Sequence, residues 1–199
     1  MEELLDIFNE KEEKTGVKAR GDVHRDGDWH ETFHCWFVKK IDSKWHVLLQ
    51  KRAFDKEDYP GLYDITAAGH LEAGEGLIEG GLREIQEELG LSLERSALTP
   101  AGYVKEELIG KDKVDREICR LFFYHWPGGD LPVGVEVADV LAIPLDQLSS
   151  LMTGDREMAV GVSICTGEKE RMKVESFVPH TPAYQSHLLK ALSEYVEKL

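Results

Sequence analysis

The chain has 199 residues, of which 42% are hydrophobic and 31% charged, and its formal net charge is −14. This length and composition are typical of one globular domain, and the strong negative charge disfavours a nucleic-acid polymer as partner, since a phosphate backbone needs a basic face. The apolar runs are too short for a membrane span, and the acidic N-terminus lacks the basic start and apolar run of a signal peptide.

The first half of the chain predicts short strands followed by a helix. Residues 4–8 and 15–19 have the pattern of strands around a polar turn, although a helical turn is also open for the first. Residues 30–38 alternate, which puts His30, Thr32, His34 and Trp36 on one strand face and Phe33, Cys35 and Phe37 on the other. A turn at residues 42–43 leads to a partner strand over residues 45–51, and residues 64–68 predict a further short strand. Residues 77–89 predict a helix.

The second half predicts more strands and a terminal helix. Residues 116–125 and 135–143 are rich in β-branched or aromatic side chains, and the PGG sequence between them predicts a turn over residues 126–131. Pro144 opens a short helix that runs to residue 152. Residues 153–182 show no clear pattern. Apolar residues recur at helical spacing over residues 183–199, namely Leu188, Leu189, Leu192, Tyr195, Val196 and Leu199. We therefore expect a single α/β (α+β) domain over residues 1–199.

The predicted helix over residues 77–89 carries an unusual group of carboxylates. Glu84, Glu87 and Glu88 stand at positions i, i+3 and i+4, which share one helix face. Their mutual repulsion destabilises the helix unless a cation cancels it, and Mg²⁺ is held by carboxylates together with substrate phosphates. A solvated acidic face remains the alternative for these three residues alone. The adjacent glycines Gly80 and Gly81 weaken the helix, and indicate either close approach to a strand or simple tolerance.

The residues around these carboxylates have a fixed spacing. Gly69, Glu75, Arg83-Glu84, an apolar residue, Glu87-Glu88, Gly90 and Leu91 match the pattern GX5EX7REUXEEXGU, where U is apolar, at every defined position. The chain therefore resembles the Nudix superfamily, with residues 69–91 as the Nudix box. The resemblance implies a mixed β-sheet sandwiched between α-helices, preceded here by an N-terminal extension over residues 1–29.

The same resemblance implies a metal-dependent hydrolase that splits a diphosphate linkage with Mg²⁺ or Mn²⁺. It assigns Glu84, Glu87 and Glu88 as metal ligands together with the carbonyl group of Ala68. Arg83 would orient the glutamates, and Glu75 would support the loop or the metal site. Glu87 or Glu88 would take the proton of the attacking water. The substrate would be a small organic or nucleoside diphosphate, whose identity stays open.

A narrower resemblance lies outside the box. RGDVHRDGDWHETFHCW (residues 20–36) and LLQKRAFDKEDYPGLYDITAAGH (residues 48–70) resemble the isopentenyl-diphosphate isomerase branch of the superfamily and its hydrolase relatives. This resemblance implies a second metal or accessory group formed by His24, His30, His70, Asp115 and Glu117. It implies diphosphate contacts from Arg20, Arg52 and Lys56. Glu136 is a further accessory carboxylate by analogy with other Nudix enzymes.

Two departures favour hydrolysis over isomerisation. The isomerase has a cysteine directly before its Gly-His turn, where this chain has Ala68, and its Nudix box is degraded whereas this one is intact. An isomerase-like enzyme and a non-catalytic diphosphate-binding module remain as alternatives. The three cysteines, an odd and widely spaced set, predict free thiols in a reducing cytoplasm. A homodimer is open, because nothing in the sequence identifies an interface.

Overall fold

The computed structural model describes residues 2–110 and 114–199, and within those ranges it contains one sheet and four α-helices. The strands are β1 (Leu4–Phe8), β2 (Lys14–Ala19), β3 (Trp29–Ile41), β4 (Lys44–Arg52), β5 (Tyr63–Asp64), β6 (Ala67–His70), β7 (Thr99–Ile109), β8 (Val114–His125), β9 (Val137–Pro144), β10 (Ala159–Ser163) and β11 (Lys169–Met172). The helices are α1 (Arg20–Asp26), α2 (Leu77–Leu89), α3 (Leu145–Met152) and α4 (Pro182–Val196).

Strand β3 organises the sheet. It pairs antiparallel with β4 and β6 and parallel with β8, while β9 continues the sheet beyond β4. The sheet is therefore mixed, as predicted. Its two faces are covered by different helices. One core contains Phe33, Ile85 and Leu89 beneath α2, and the other contains Trp36, Leu148 and Leu188 beneath α3 and α4. This arrangement confirms the predicted fold class.

Most sequence-predicted elements are present, and the alternation of β3 is the predicted one. The N-terminal residues are not an appendage, because β1 joins the sheet through the Phe8–Trp29 pair and α1 packs against β8. The terminal helix begins at Pro182 and ends at Val196, so Leu199 lies beyond it and is exposed. The prediction of a continuous strand over residues 64–68 is wrong. Thr66 interrupts it, since its hydroxyl bonds the carbonyl of Leu48 and accepts from the N–H of Phe37 at 2.9 Å.

One helix and three strands among the described residues were not predicted from the sequence, namely α1, β7, β10 and β11. Helix α1 is only seven residues long, contains Gly21 and has no side-chain cap. Strand β7 contains Pro100, Gly102 and several charged residues, and its register shifts between Pro100 and Tyr103. Such composition is unfavourable in strands, and the bulge explains how the strand accommodates it. The hairpin of β10 and β11 lies in the part of the sequence that showed no clear pattern.

The glycines Gly80 and Gly81 allow α2 to pack closely on the sheet. This favours close approach to a strand over simple tolerance as the reason for the two glycines. A Cβ atom at Gly81 would collide with the ring of Phe33 on β3, and one at Gly80 would lie 2.7 Å from Leu71 Cδ2. We expect Gly81→Ala to lower the free energy of unfolding by about 1–3 kcal/mol through overpacking. The helical Gly21 has open space around it and serves as control, since Gly21→Ala should be neutral or slightly stabilising. Chemical denaturation of both variants checks this, and equal stability of the two would contradict it.

Candidate active site and metal-binding groups

Helix α2 presents its three candidate metal ligands in different environments. Ile85 and Leu89 anchor the helix on the sheet, so that Glu88 is buried, Glu84 is 14% exposed and Glu87 is 60% exposed. The Glu88 carboxylate accepts from Gln50 Nε2 at 3.1 Å and from the N–H of Ala68 at 3.0 Å. Neither Gln50 nor this use of the Ala68 N–H was predicted from the sequence.

Arg83 connects the carboxylates of the box. Its guanidinium bonds both oxygens of Glu75, at 3.0 and 2.9 Å, and reaches Glu84 at 2.8 Å and Glu87 at 3.1 Å. It also donates to the carbonyl of His70 at 3.3 Å. The positive charge of Arg83 is thus shared among three carboxylates, and Glu75 makes the bidentate contact. These contacts are of the kind that the Nudix resemblance implies for an arginine that orients the glutamates. Glu75 is bonded to this arginine.

Burial raises the pKa of two of these carboxyl groups, so that they are unusually weak acids. Burial raises the pKa of Glu88 to about 8, and it raises the pKa of Glu84 to about 7 although the neighbouring Arg83 opposes the shift. Both groups therefore lack enough positive charge to keep them ionised at neutral pH. A divalent cation would supply that charge, so the donor set fits one. Two oxygen-rich side chains on a buried helix face are the type of ligand that Mg²⁺ prefers.

These shifts predict how stability depends on pH. The folded protein holds protons on Glu84 and Glu88 up to about pH 7 and 8, whereas the unfolded chain releases them near 4.5. The metal-free protein should therefore lose stability as pH rises through that window. Mg²⁺ bound by these carboxylates would compete with those protons, so it should raise Tm more at about pH 9 than at about pH 6. Thermal denaturation with Mg²⁺ and with EDTA measures this, and an equal Mg²⁺ effect at both pH values would contradict it.

A second group forms where α1, β3, β6 and β8 meet. The rings of His24, His30 and His70 lie 5.1–5.4 Å apart between centroids, and one ligand atom from each lies within 4.8 Å of the others. Asp115 Oδ1 lies 3.5 Å from His24 Nε2 and 3.6 Å from His30 Nε2. Glu117 stands opposite His30 in the β3–β8 ladder. The structure therefore brings together all five residues that the isomerase resemblance implied.

The electrostatics of this histidine group fit a bound cation. Burial lowers the pKa of His30 and of His70, so that both imidazoles are neutral and each can offer a ring nitrogen to a metal ion. Their Nε2 atoms are buried and have no hydrogen-bond partner among the residues that the structure describes. Burial opposes ionisation of Glu117, but the hydrogen bond from His34 keeps its pKa below the usual value. Neutral imidazoles beside an ionised carboxylate are the ligand forms that a transition metal requires.

Glu117 also contacts a second set of residues that the sequence did not single out. His34 Nε2 lies 3.5 Å from its Oε2 atom, and Thr32 and Cys119 contact the same oxygen at 3.3 and 3.4 Å. The other ring nitrogen of His34 bonds the hydroxyl of Tyr184 at 2.9 Å. The alternation of β3 could have indicated this set, since Thr32 and His34 share the strand face of His30.

The basic candidates are each held by an acid. Arg52 bonds Asp64 at 2.9 Å, Lys56 bonds Glu136 at 2.5 Å, and Arg20 bonds Glu3 at 3.1 Å. The structure thus brings Glu136 to Lys56. The acidic partner Asp64 was not predicted, because no motif marks it.

In the part of the chain that the structure describes, no helix is long and apolar enough to cross a membrane.

Comparisons with known proteins agree with this geometry. The NUDIX domain family matches residues 28–160. An uncharacterized Nudix hydrolase of Clostridium acetobutylicum is 38% identical, with 97% of this chain and 98% of that protein covered. An isopentenyl-diphosphate Delta-isomerase of Serratia proteamaculans is 28% identical over 61% of this chain and 65% of the isomerase. A crystal structure from Deinococcus radiodurans is similar in fold, with a TM-score of 0.60 and 15% identity over 76% of this chain and 90% of that one.

Proposed function

The chain belongs to the Nudix family of hydrolases, and from that premise we propose that it uses a divalent cation, Mg²⁺ or Mn²⁺, to hydrolyse a diphosphate linkage in a small organic or nucleoside diphosphate. The observation that carries the proposal is the grouping of Glu84, Glu87 and Glu88 on one face of α2, where Arg83 bonds the first two and where the carboxyl groups of Glu84 and Glu88 are largely buried and in need of positive charge. A merely solvated acidic face would not bury Glu88.

The chain's own groups divide the work as follows. Glu84 and Glu88 would hold the cation with the carbonyl group of Ala68, and Arg83 fixes the direction of the Glu84 and Glu87 carboxylates. When bound, the cation stabilises the charge that develops on the phosphoryl oxygens. Glu87 is the group we assign as general base. Both oxygens of Glu88 are engaged, by Gln50 and by the Ala68 N–H, whereas Glu87 is largely exposed and can meet an incoming water.

The reaction balances with water as the only co-reactant. The water oxygen forms a new bond to one phosphorus atom, and the bond from that atom to the bridging oxygen breaks. A monoester diphosphate then yields a phosphate monoester and orthophosphate, and the proton that leaves the water passes to Glu87. Arg52, Lys56 and Arg20 are proposed contacts for the diphosphate, which would compete with the acids that now hold them.

The histidine group is proposed to hold a second cation. Imidazoles and carboxylates together suit Mn²⁺, Fe²⁺ or Zn²⁺. This group also favours isomerisation as a second candidate function, since it is the group that the isomerase resemblance implied. Against it, Ala68 occupies the place of the isomerase cysteine. The described thiol that contacts Glu117 is Cys119, which lies on β8 whereas Ala68 lies on β6, and burial raises the pKa of that thiol.

The deciding experiment is turnover with product analysis. Purified protein is incubated with Mg²⁺ or Mn²⁺ and a panel of nucleoside and alkyl diphosphates in ¹⁸O-labelled water, and products are identified by mass. Hydrolysis should place one ¹⁸O atom in a phosphate product. Double-bond migration in an unsaturated diphosphate without phosphate release would instead support isomerisation. Binding that raises Tm without any product would support a non-catalytic module.

A further inference from the structure

A cavity of about 350 Å³ lies beside the candidate active site and has no role in the proposed metal binding. One wall is the short segment at residues 62–65, and the opposite wall is residues 174–180, which precede α4. The two walls are joined by a parallel bridge between Tyr63 and Phe177 and by the hydrogen bond from the N–H of Val178 to the carbonyl of Tyr63 at 2.9 Å. The end of α3, at Leu151 and Met152, closes the remaining side.

The cavity adjoins both groups of candidate ligands. Asp64 in its wall pairs with Gln50 across β4 and β5, and Gln50 holds the Glu88 carboxylate. On the other side, the wall residue Trp36 shares its strand face with His34, which contacts Glu117. His180, also in the wall, has its ring centroid 6.2 Å from that of His34. A substrate whose diphosphate reaches the cations could therefore place its other end in this cavity.

The lining of the cavity indicates which chemical group of the substrate it can bind. Its surface is mostly apolar and includes the aromatic residues Trp36, Tyr59, Tyr63 and Phe177. Among the described residues that line it, the carboxylates are Asp64 and Glu175, and none is Lys or Arg. A diphosphate needs cationic contacts and would be repelled here. A sugar with several hydroxyl groups would lose water without finding enough hydrogen-bond partners on such a surface. An uncharged apolar group gains from burial.

We propose that this cavity binds the organic group of the substrate, and that this group is an uncharged branched-alkyl or aromatic group without a sugar. The proposal rests on the proposed function for the diphosphate chemistry and names the substrate class of the same site. The volume is at the small end of ligand sites, which suits one compact group. The lining includes the core residue Trp36 and the partly exposed Tyr59, which are aromatic contacts for such a group.

Matched tryptophan substitutions test this assignment. Val174 lines the cavity and is 48% exposed, so Val174→Trp narrows the cavity without disturbing the core. Val17 is 47% exposed on β2, away from the cavity, and Val17→Trp is the control. Met152→Trp narrows the cavity from the opposite side. The probes are isopentyl diphosphate, 2-phenylethyl diphosphate and uridine diphosphate, with kcat and KM measured for each.

The expected result is a selectivity that depends on the cavity. The unaltered protein should prefer the isopentyl or phenylethyl ester over uridine diphosphate by at least about tenfold in kcat/KM. Val174→Trp and Met152→Trp should reduce that preference by about tenfold or more, chiefly through KM, while Val17→Trp leaves it unchanged. A preference for uridine diphosphate, or a preference that neither cavity variant alters, would overturn the proposal and leave the proposed hydrolysis intact.

A binding measurement separates this proposal from the proposed hydrolysis. Saturation-transfer NMR with 2-phenylethanol, which has no phosphate, reads the cavity alone. Signal transfer that is weakened by Val174→Trp and not by Val17→Trp would support the cavity as a binding site even if none of the diphosphates were hydrolysed. Equal transfer to all three proteins, or no transfer to any of them, would overturn it.

Discussion

Replacing Glu87 by Gln is expected to lower kcat for the diphosphate substrate by about 100- to 10,000-fold, the usual contribution of a general base. The amide keeps the size of the side chain and can still bond Arg83, but it cannot accept a proton from water. Because the Glu87 side chain is 60% exposed and lies outside both cores, the variant should fold normally. KM should change little, since the assigned role is in the chemical step. Steady-state kinetics with circular dichroism and Tm measure both.

The same helix offers a control for this substitution. Glu79 lies in the first turn of α2, outside the defined positions of the box, and Glu79→Gln removes the same charge. It should retain nearly full activity, which separates loss of the base from a general loss of negative charge. If Glu87→Gln were as active as Glu79→Gln, the assignment of Glu87 would be wrong and Glu88 would become the candidate.

The parts of the site that could be predicted are those carried by local spacing. The bounds of α2 agree with the prediction because the apolar positions and Gly90, which ends the helix with φ of 64°, act within a few residues. The three histidines also come together, although they lie on three different elements. Gly27, with φ of 70°, turns the chain between α1 and β3, so that His24 folds back to within 5.2 Å of His30 between ring centroids.

The parts that could not be predicted depend on contacts between distant residues. Gln50 holds Glu88 across 38 positions, and Glu106 holds His180 at 2.8 Å across 74. No local pattern marks either pair. The cavity likewise depends on residues 174–180, whose conformation is set by pairing with Tyr63 and not by periodicity. Sequence spacing thus indicated the diphosphate chemistry, while the wall that would select the organic group became visible only in the folded chain.

The histidine group gives the second large effect. Replacing His24 by Gln should remove about one equivalent of a tightly bound transition metal, because removing one ligand of such a site strongly weakens binding. His24 lies on the seven-residue helix α1 and belongs to neither of the two cores that cover the sheet, so the fold should survive the change. A cation at the proposed α2 site would be held by other residues and should remain. Protein loaded with Co²⁺ and dialysed is assayed by elemental analysis and by its visible absorption, which reports nitrogen ligands.

His46 provides the matched control, because it lies on β4 opposite Lys39, towards the other end of β3 from His30, and its ring contacts the carbonyl of Lys44 at 3.1 Å. His46→Gln should keep the full metal content, and His30→Gln should lose it as His24→Gln does. Equal metal retention by all three variants would show that the cluster holds no metal. The buried Nε2 atoms of His30 and His70 would then need a hydrogen-bonding partner of another kind, and a phosphate oxygen of the substrate would be the first to examine, by ³¹P NMR titration of the same variants with a diphosphate.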